Sequence, residues 1–323
     1  MSTIFQIYGR GLLVVIIVAA TAQFLSEHYG APAMLMALLI GMALHFLSKE
    51  TATKPGVEFA SKNLLRAGVA LLGLRIGFAD IANLGLTLVF EIVLLVVGTI
   101  FIACLAAKFV GRSWHYGALT GGAVAICGAS AALAISAVLP KAKISEQDTL
   151  LTVIGVTTLS TLAMIFYPVM FHLLGLDQTQ TGFLIGATIH DVAQVVGAGY
   201  SVSETAGDTA TVVKLLRVAM LPVALIALTL IQRDGEGAKI SLPWFLVAFI
   251  AFMVLANFVS LPVWFLEVSG NLSLGLLLVA VAGLGIKTSI EELRAVGGAK
   301  LMLIIGETLF LLIAAITLLM LLR

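Results

Sequence analysis

Charged residues are scarce in this chain. Only 11% of its 323 residues are Asp, Glu, Lys or Arg, whereas 61% are apolar, and the mean hydropathy is +1.14. Soluble domains carry about a quarter charged residues, so the composition excludes an ordinary soluble protein and predicts an all-α polytopic membrane protein in a lipid bilayer. The net charge of +1 gives no field that would attract nucleic acid.

Cysteines and long polar stretches are also scarce. Cys104 and Cys127 are the only cysteines, and both lie in apolar segments without the spacing of a metal site. A disulfide framework and a cysteine-ligated metal centre are therefore excluded, and we predict no cofactor. No connection between apolar segments is long enough for a soluble domain, so residues 1–323 are predicted to form one integral membrane domain.

Eleven apolar segments can be marked along the chain. A helix needs about 20 apolar residues to cross the hydrocarbon core of a bilayer. Allowing for interrupted or re-entrant segments, we predict about 9–11 membrane segments. Their approximate ranges are 11–27, 32–47, 57–76, 84–107, 115–139, 149–173, 179–202, 208–231, 243–262, 270–286 and 299–322.

Segments 115–139 and 179–202 are crowded with Gly, Ala and Ser, whereas the other segments are mostly Leu, Ile, Val and Phe. Small residues permit close packing of continuous helices. They are also typical of helices that break in the membrane, or return as re-entrant hairpins, and expose backbone groups to a substrate. Both interpretations stay open from the sequence, with the broken form favoured.

Positive residues predict the orientation, because they concentrate in cytoplasmic loops. If every segment spans the membrane, eleven basic residues lie on the side of the N-terminus and four on the other side. If 115–139 and 179–202 are hairpins instead, Lys141 and Lys143 move to the N-terminal side. Both versions predict a cytoplasmic N-terminus and a periplasmic C-terminus. The eleven are Arg10, Lys49, Lys54, Lys62, Lys108, Arg112, Arg233, Lys239, Lys287, Arg294 and Lys300, and the four are Arg75, Lys141, Lys143 and Arg323.

A faint internal repeat is present. The stretches "LLGLRIGF" at 71–78 and "VAGLGIKT" at 281–288 share Gly-Leu-x-Ile, and each precedes a helix with a single glutamate, Glu91 or Glu307. The two copies run in opposite directions through the membrane, as in transporters built from inverted repeats. We place the halves roughly at 30–173 and 179–323. Glu91 and Glu307 are candidate proton or cation relays, or protonated groups that bond to a neighbouring helix.

The charged groups at membrane depth cluster in two neighbouring segments. His190, Asp191 and Gln194 lie in "GATIHDVAQVVGAG", and Lys214 and Arg217 follow three residues apart, on one side of the next helix. Such groups are rare at this depth without a partner or a wet cavity. Asp191 either serves a transport site or pairs with a cation as a structural ion bridge, and Arg217 either enters the site or extends to the interface.

A small anion fits this set of side chains. Lys214 and Arg217 would attract it, with Gln194 beside them, and broken-helix N-termini near Gly128 and Gly186 would offer free N–H groups. Proton exchange at His190 or Asp191 would couple transport to the proton gradient. The stretch predicted to contact the anion with its backbone and a hydroxyl group is Cys127, Gly128, Ala129 and Ser130.

The stretches "CGASAALAISAV", "GATIHDVAQVVGAGYSV" and "VVKLLRVAMLPV" resemble the YeiH-type bacterial inner-membrane proteins, often labelled sulfate exporters. The resemblance covers essentially the whole chain. That family is similar to the cation:proton antiporter and anion transporter superfamily. The resemblance implies a scaffold domain and a core domain with interrupted helices, elevator-type alternating access, and homodimers. The sulfate label implies sulfate, sulfite or organosulfonates as candidate substrates.

We therefore expect a secondary transporter of a small anion and not an enzyme, with protons or another ion as coupling partner. A cation/proton antiporter is the main alternative, with Asp191, Glu91 or Glu307 as cation ligands and Lys214 as a balancing charge. A channel would not require titratable groups. A membrane enzyme would use Ser130 and His190 as nucleophile and base, but such coincidences are frequent in Gly/Ala/Ser-rich helices.

Overall fold

The computed structural model describes residues 2–29, 33–74, 78–140, 142–231, 244–288 and 298–322. The backbone in these ranges is helical apart from short turns, and contains no strand. The chain is thus an all-α protein. Several basic residues used to predict orientation lie outside the described residues: Arg75, Lys141, Arg233, Lys239, Arg294 and Arg323.

Each predicted apolar segment contains helix. Six of the described helices have a stretch long and apolar enough to cross a membrane: Ile7–Tyr29, Thr87–Phe109, Gln147–Leu173, Glu204–Ile231, Val263–Lys287 and Lys300–Leu321. The helices are α1 (Ser2–Tyr29), α2 (Ala33–Ala43), α3 (Lys54–Phe59), α4 (Leu65–Leu72), α5 (Phe78–Phe109), α6 (Trp114–Ala125), α7 (Ala129–Val138), α8 (Glu146–Leu173), α9 (Gln178–Thr188), α10 (Val192–Val202), α11 (Glu204–Ile231), α12 (Trp244–Phe258), α13 (Val263–Lys287) and α14 (Ala299–Leu322).

The chain forms two compact units. Unit 1 comprises residues 1–83, 196–208 and 243–290, and unit 2 comprises residues 84–195, 209–242 and 291–323. Each unit therefore takes stretches from both predicted repeat halves. The single membrane domain with halves at 30–173 and 179–323 stays a prediction.

Unit 1 is held together by close backbone approaches to α13. A Cβ atom placed on Gly41 of α2 would lie 2.6 Å from the carbonyl oxygen of Ala282. On α4, the carbonyl of Gly68 accepts a 2.6 Å hydrogen bond from Ser273 Oγ. Small residues at these positions let the helices meet backbone to backbone.

Both Gly/Ala/Ser-rich segments are broken, and both breaks lie in unit 2, which contains all of 115–139 and residues 179–195 of the second segment. The first break lies between α6 and α7, where Gly128 has φ +62° and ψ −126°, a conformation that only glycine adopts readily. The second lies between α9 and α10, where Ile189 is extended with φ −71° and ψ 138°. The prediction of interrupted helices is confirmed for both segments.

The first broken segment is a helical hairpin. A continuous helix over residues 114–138 would hold its ends about 37 Å apart. Arg112, which precedes α6, instead donates a 2.7 Å bond through Nη2 to Asp148, which follows α7, and Ile135 of α7 packs on Gly122 of α6. The hairpin prediction is confirmed for residues 115–139, whereas the form of 179–202 stays a prediction.

Candidate functional site

The two helix breaks adjoin each other inside unit 2. A Cβ atom placed on Gly128 would lie 3.5 Å from His190 Cβ and 3.6 Å from the His190 carbonyl carbon. Cys127 and His190 are both buried, with exposed fractions of 5% and 1%. The structure therefore brings the predicted Cys127–Gly128 and His190–Asp191 stretches together, although they are about 60 residues apart in the sequence.

Arg217 of α11 binds the carbonyl ends of both broken helices. Its Nε and Nη2 atoms donate 2.7 Å hydrogen bonds to the carbonyls of Ala125 and Val124, at the end of α6. Its Nη1 atom donates to the carbonyls of Gly186 and Ile189, at the end of α9, over 2.9 and 3.0 Å. Arg217 is 1% exposed, so the alternative in which it extends to the membrane interface is wrong.

Lys214 joins the two breaks in the same way. Its Nζ atom donates to the carbonyls of Ile126 at 2.7 Å and Ile189 at 3.0 Å, and the residue is fully buried. The last carbonyls of a helix lack intrahelical donors and carry a partial negative charge. Lys214 and Arg217 therefore neutralise the C-terminal ends of α6 and α9, which no sequence pattern had indicated.

The predicted helix N-terminus near Gly186 is wrong. Gly186 lies in the last turn of α9, and a Cβ atom there would come 2.5 Å from the Ala210 carbonyl oxygen and 2.7 Å from Val213 Cβ. The glycine is thus required for packing against α11. The helix that starts after the second break is α10, whose first residue is Val192.

His190 and Asp191 are held at the second break by α8 and by α10 itself. The Ser160 hydroxyl oxygen accepts hydrogen bonds from the backbone N–H groups of His190 and Asp191, at 3.2 and 3.1 Å. The Asp191 carboxylate accepts a 2.8 Å bond from the N–H of Ala193, which is the geometry of a helix N-cap. Asp191 therefore caps α10, and its predicted ion pair with a cation stays a prediction.

The N-terminus of α7 differs from that of α10. Gly128 occupies its N-cap position and offers no side chain to cap it, whereas the first N–H groups of any helix lack intrahelical acceptors. In the following turn Ala129 is half-buried and Ser130 is exposed. The α7 N-terminus consequently presents N–H groups and a partial positive charge directly beside His190.

Gln194 and Glu307 each have a buried oxygen that makes no hydrogen bond within the described part of the chain. Gln194 Nε2 donates a 2.7 Å bond to Thr161 Oγ1, and Glu307 Oε1 accepts a 2.7 Å bond from Thr120. Gln194 Oε1 and Glu307 Oε2 are the oxygens without a partner. Glu91 is fully buried on α5, and its predicted relay role is untested.

The chain is similar to one protein family over most of its length. Residues 10–304 match the family model described as Conserved hypothetical protein 698. The UPF0324 membrane protein RB0971 of Rhizobium meliloti (strain 1021) is 50% identical over 321 residues, covering 96% of this chain and 92% of the relative. The chain belongs to this family.

Other UPF0324 proteins are similar over nearly the same length. The UPF0324 membrane protein TauZ of Paracoccus denitrificans is 48% identical over 309 residues, covering 93% of this chain and 91% of the relative. The UPF0324 inner membrane protein YeiH of Salmonella typhi is 34% identical over 296 residues, covering 88% and 84%. The predicted YeiH-type resemblance is confirmed, and the chain is a membrane protein. No solved structure matches it.

Sequence reasoning missed the hydroxyl groups of this UPF0324 site. Ser160 and Thr161 on α8, Thr120 on α6 and Thr308 on α14 all bond to predicted site residues. The run "VTTLST" at 156–161 is a signal for the first two, because four of its six residues carry hydroxyl groups. Thr120 and Thr308 have no comparable sequence signal.

Proposed function

We propose that this protein is a secondary transporter of a small anion, such as sulfate, sulfite or a sulfonate, and that the anion binds at the N-terminus of α7. The supporting observation is the position of the two buried cations. Lys214 and Arg217 bind the carbonyl ends of α6 and α9, which leaves the N-terminal, positive ends of α7 and α10 at the adjoining breaks.

The charge balance of the site favours an anion. Each helix end carries roughly half an elementary charge, so the two C-terminal ends together offset roughly one of the two cations. The two N-terminal ends add roughly one positive charge, and an ionised Asp191 subtracts one. The remaining charge is roughly +1, and it is nearest the N-terminus of α7, where the N-cap residue Gly128 has no side chain.

The same balance supports the proposal that anion transport is coupled to protons. Protonation of Asp191 or His190 raises the local charge by one, which strengthens anion binding, and deprotonation weakens it. Because each then strengthens the binding of the other, proton and anion are expected to cross together. Glu307, one residue before Thr308 on α14, contacts Thr120 of the hairpin and is a second candidate for proton exchange.

A cation/proton antiporter is the second candidate, because backbone carbonyls meeting at helix breaks are typical cation ligands. Two of these carbonyls, those of Ile126 and Ile189, already bind the ammonium group of Lys214 at 2.7 and 3.0 Å. A soluble cation would have to displace a tethered one. This arrangement favours the anion transporter over the antiporter.

We further propose a bacterial inner-membrane location, homodimers and alternating access, as the family resemblance implies. The ends of the hairpin support a cytoplasmic side. Arg112 and Lys300 both bind Asp148 at 2.7 Å, so basic residues gather at this end of unit 2, and such residues concentrate in cytoplasmic loops. The N-terminus would then be cytoplasmic and the C-terminus periplasmic.

The decisive variant for coupling is Asp191→Asn, because asparagine keeps the N-cap bond to Ala193 and removes the charge. In proteoliposomes we expect anion uptake to persist and its dependence on pH to change. Asp177→Asn is the matched control, since Asp177 caps α9 through a bond to the Gln180 N–H at 2.8 Å. A folded Asp191→Asn protein with the wild-type pH profile would exclude the aspartate as the coupling group.

A further inference from the structure

Thr308 of α14 is placed against the imidazole of His190. The Thr308 Oγ1 atom lies 3.1 Å from His190 Nε2 and 2.8 Å from the carbonyl oxygen of Ile304, one turn earlier on α14. The other ring nitrogen, Nδ1, lies 3.1 Å from the carbonyl oxygen of Val124. Both Thr308 and His190 are buried, with exposed fractions of 6% and 1%.

Counting hydrogens at this imidazole leaves two arrangements. A carbonyl oxygen only accepts hydrogen bonds, so Nδ1 carries a hydrogen and donates it to Val124. Nε2 then either accepts a bond from the Thr308 hydroxyl, when the ring is neutral, or donates a bond to Oγ1, when the ring is charged. In the second case the hydroxyl hydrogen turns to the Ile304 carbonyl, which is already within bonding distance.

We propose that Thr308 is the positioning residue that lets His190 gain and lose a proton at constant geometry. The hydroxyl group exchanges the roles of donor and acceptor by rotating its hydrogen, so neither state of the ring leaves Nε2 without a partner. This inference rests on the proposed proton coupling and names the group that sustains it. Thr308 acts through its contact with His190.

The charged groups around His190 make the Thr308 hydroxyl important as a hydrogen-bond acceptor for the charged ring. From α11, Arg217 binds the same Val124 carbonyl as His190, and Lys214 binds the neighbouring Ile189 carbonyl. Cys127 lies on the adjoining break, and Ser160 contacts the His190 backbone. Asp191 follows His190 in the sequence, and Glu307 precedes Thr308 and bonds to Thr120. With two cations on these carbonyls, a charged ring needs a hydrogen-bond acceptor at Nε2, and Thr308 supplies it.

Bonding of a threonine hydroxyl to its own helix backbone is common. Thr317, also on α14, donates a 2.8 Å bond to the Ile313 carbonyl at an exposed position. Thr308 differs from Thr317 because a titratable nitrogen lies on its other side. The same arrangement recurs at Thr120, whose Oγ1 lies 2.7 Å from Glu307 Oε1 and 3.1 Å from the Tyr116 carbonyl.

The test compares Thr308→Val, which removes the hydroxyl at nearly constant volume, with Thr308→Ser, which keeps it, and with Thr317→Val as the matched control. The first readout is the histidine Cε1 signal in NMR spectra of purified protein across pH, with His190→Gln used for assignment. The second is the pH profile of anion uptake by proteoliposomes. Thr308→Ala serves as a second hydroxyl-free variant if valine prevents folding.

We expect Thr308→Val to move the His190 titration midpoint down by about one pH unit, because the charged ring loses a stronger hydrogen bond than the neutral ring. The uptake profile should shift with it, serine should restore both, and Thr317→Val should change neither. Wild-type titration of His190 in Thr308→Val, or no titration of His190 in wild type, would overturn the proposal. A shifted titration with pH-independent uptake in wild type would support the hydroxyl role and refute the proton coupling.

Discussion

Replacing Arg217 by methionine should destabilise unit 2 strongly, because this guanidinium joins the ends of α6 and α9. The Val124 carbonyl also contacts His190, and the Ile189 carbonyl also contacts Lys214. The carbonyls of Ala125 and Gly186 depend most on Arg217, which binds them at 2.7 and 2.9 Å. The loss is thus concentrated in two charge-assisted hydrogen bonds.

Hydrogen bonds to a charged group contribute about 1.5–3 kcal/mol each. Two of them predict a loss of about 3–6 kcal/mol, which is a large share of the stability of a folded protein. At about 2 °C per kcal/mol for a large domain, the melting temperature should fall by roughly 6–12 °C. Arg217→Lys should lose about half as much, since lysine keeps the charge without the fork of donors.

A thiol-reactive fluorogenic dye measures this loss directly in detergent, because Cys127 is only 5% exposed beside the site and reacts when unit 2 unfolds. Arg10→Met is the matched control, since Arg10 is exposed on α1. If Arg217→Met melts no lower than Arg10→Met, the guanidinium does not stabilise the helix ends, and its position no longer favours an anion at the opposite ends.

Two further variants test the hairpin. Gly128→Ala should lower the free energy of unfolding by about 1–3 kcal/mol, and with it the melting temperature, because alanine is strained at the positive φ of this position; the added Cβ would meet no clash. Gly98 is a helical glycine with open space around it, so Gly98→Ala should not lower the melting temperature. Asp148→Asn keeps the cap of α8 but removes the ion pairs to Arg112 and Lys300, whose side chains are about one-third exposed. We expect the free energy of unfolding to fall by about 1–2 kcal/mol, and this difference from wild type to shrink in high salt. A difference that does not change with salt would contradict the role of the ion pairs.

The helix breaks were predictable from composition, but only one of them could be placed. Gly128 marks the first break because its φ of +62° requires glycine. The second break contains no glycine. It is fixed by Ser160 of α8 and by the Asp191 cap, so sequence reasoning moved it to Gly186, whose actual role is packing against α11.

The cations show a similar limit. The three-residue spacing of Lys214 and Arg217 correctly predicted that they share a helix face. Their partners are backbone carbonyls about 25–90 residues away, and every residue has a carbonyl, so the sequence contains no signal for this contact. Thr308 is likewise indistinguishable in sequence from Thr317, although their surroundings differ.

Transport by the purified protein in liposomes is the first measurement to make, because it shows directly whether the protein carries an anion or a cation. Currents and isotope exchange are measured with sulfate, sulfite, thiosulfate, taurine and sodium, with and without a proton gradient. We expect transport of a sulfur-containing anion that needs no sodium, responds to the proton gradient and is weakened by Lys214→Ala. Transport driven by sodium, with no response to any of the anions, would contradict this expectation.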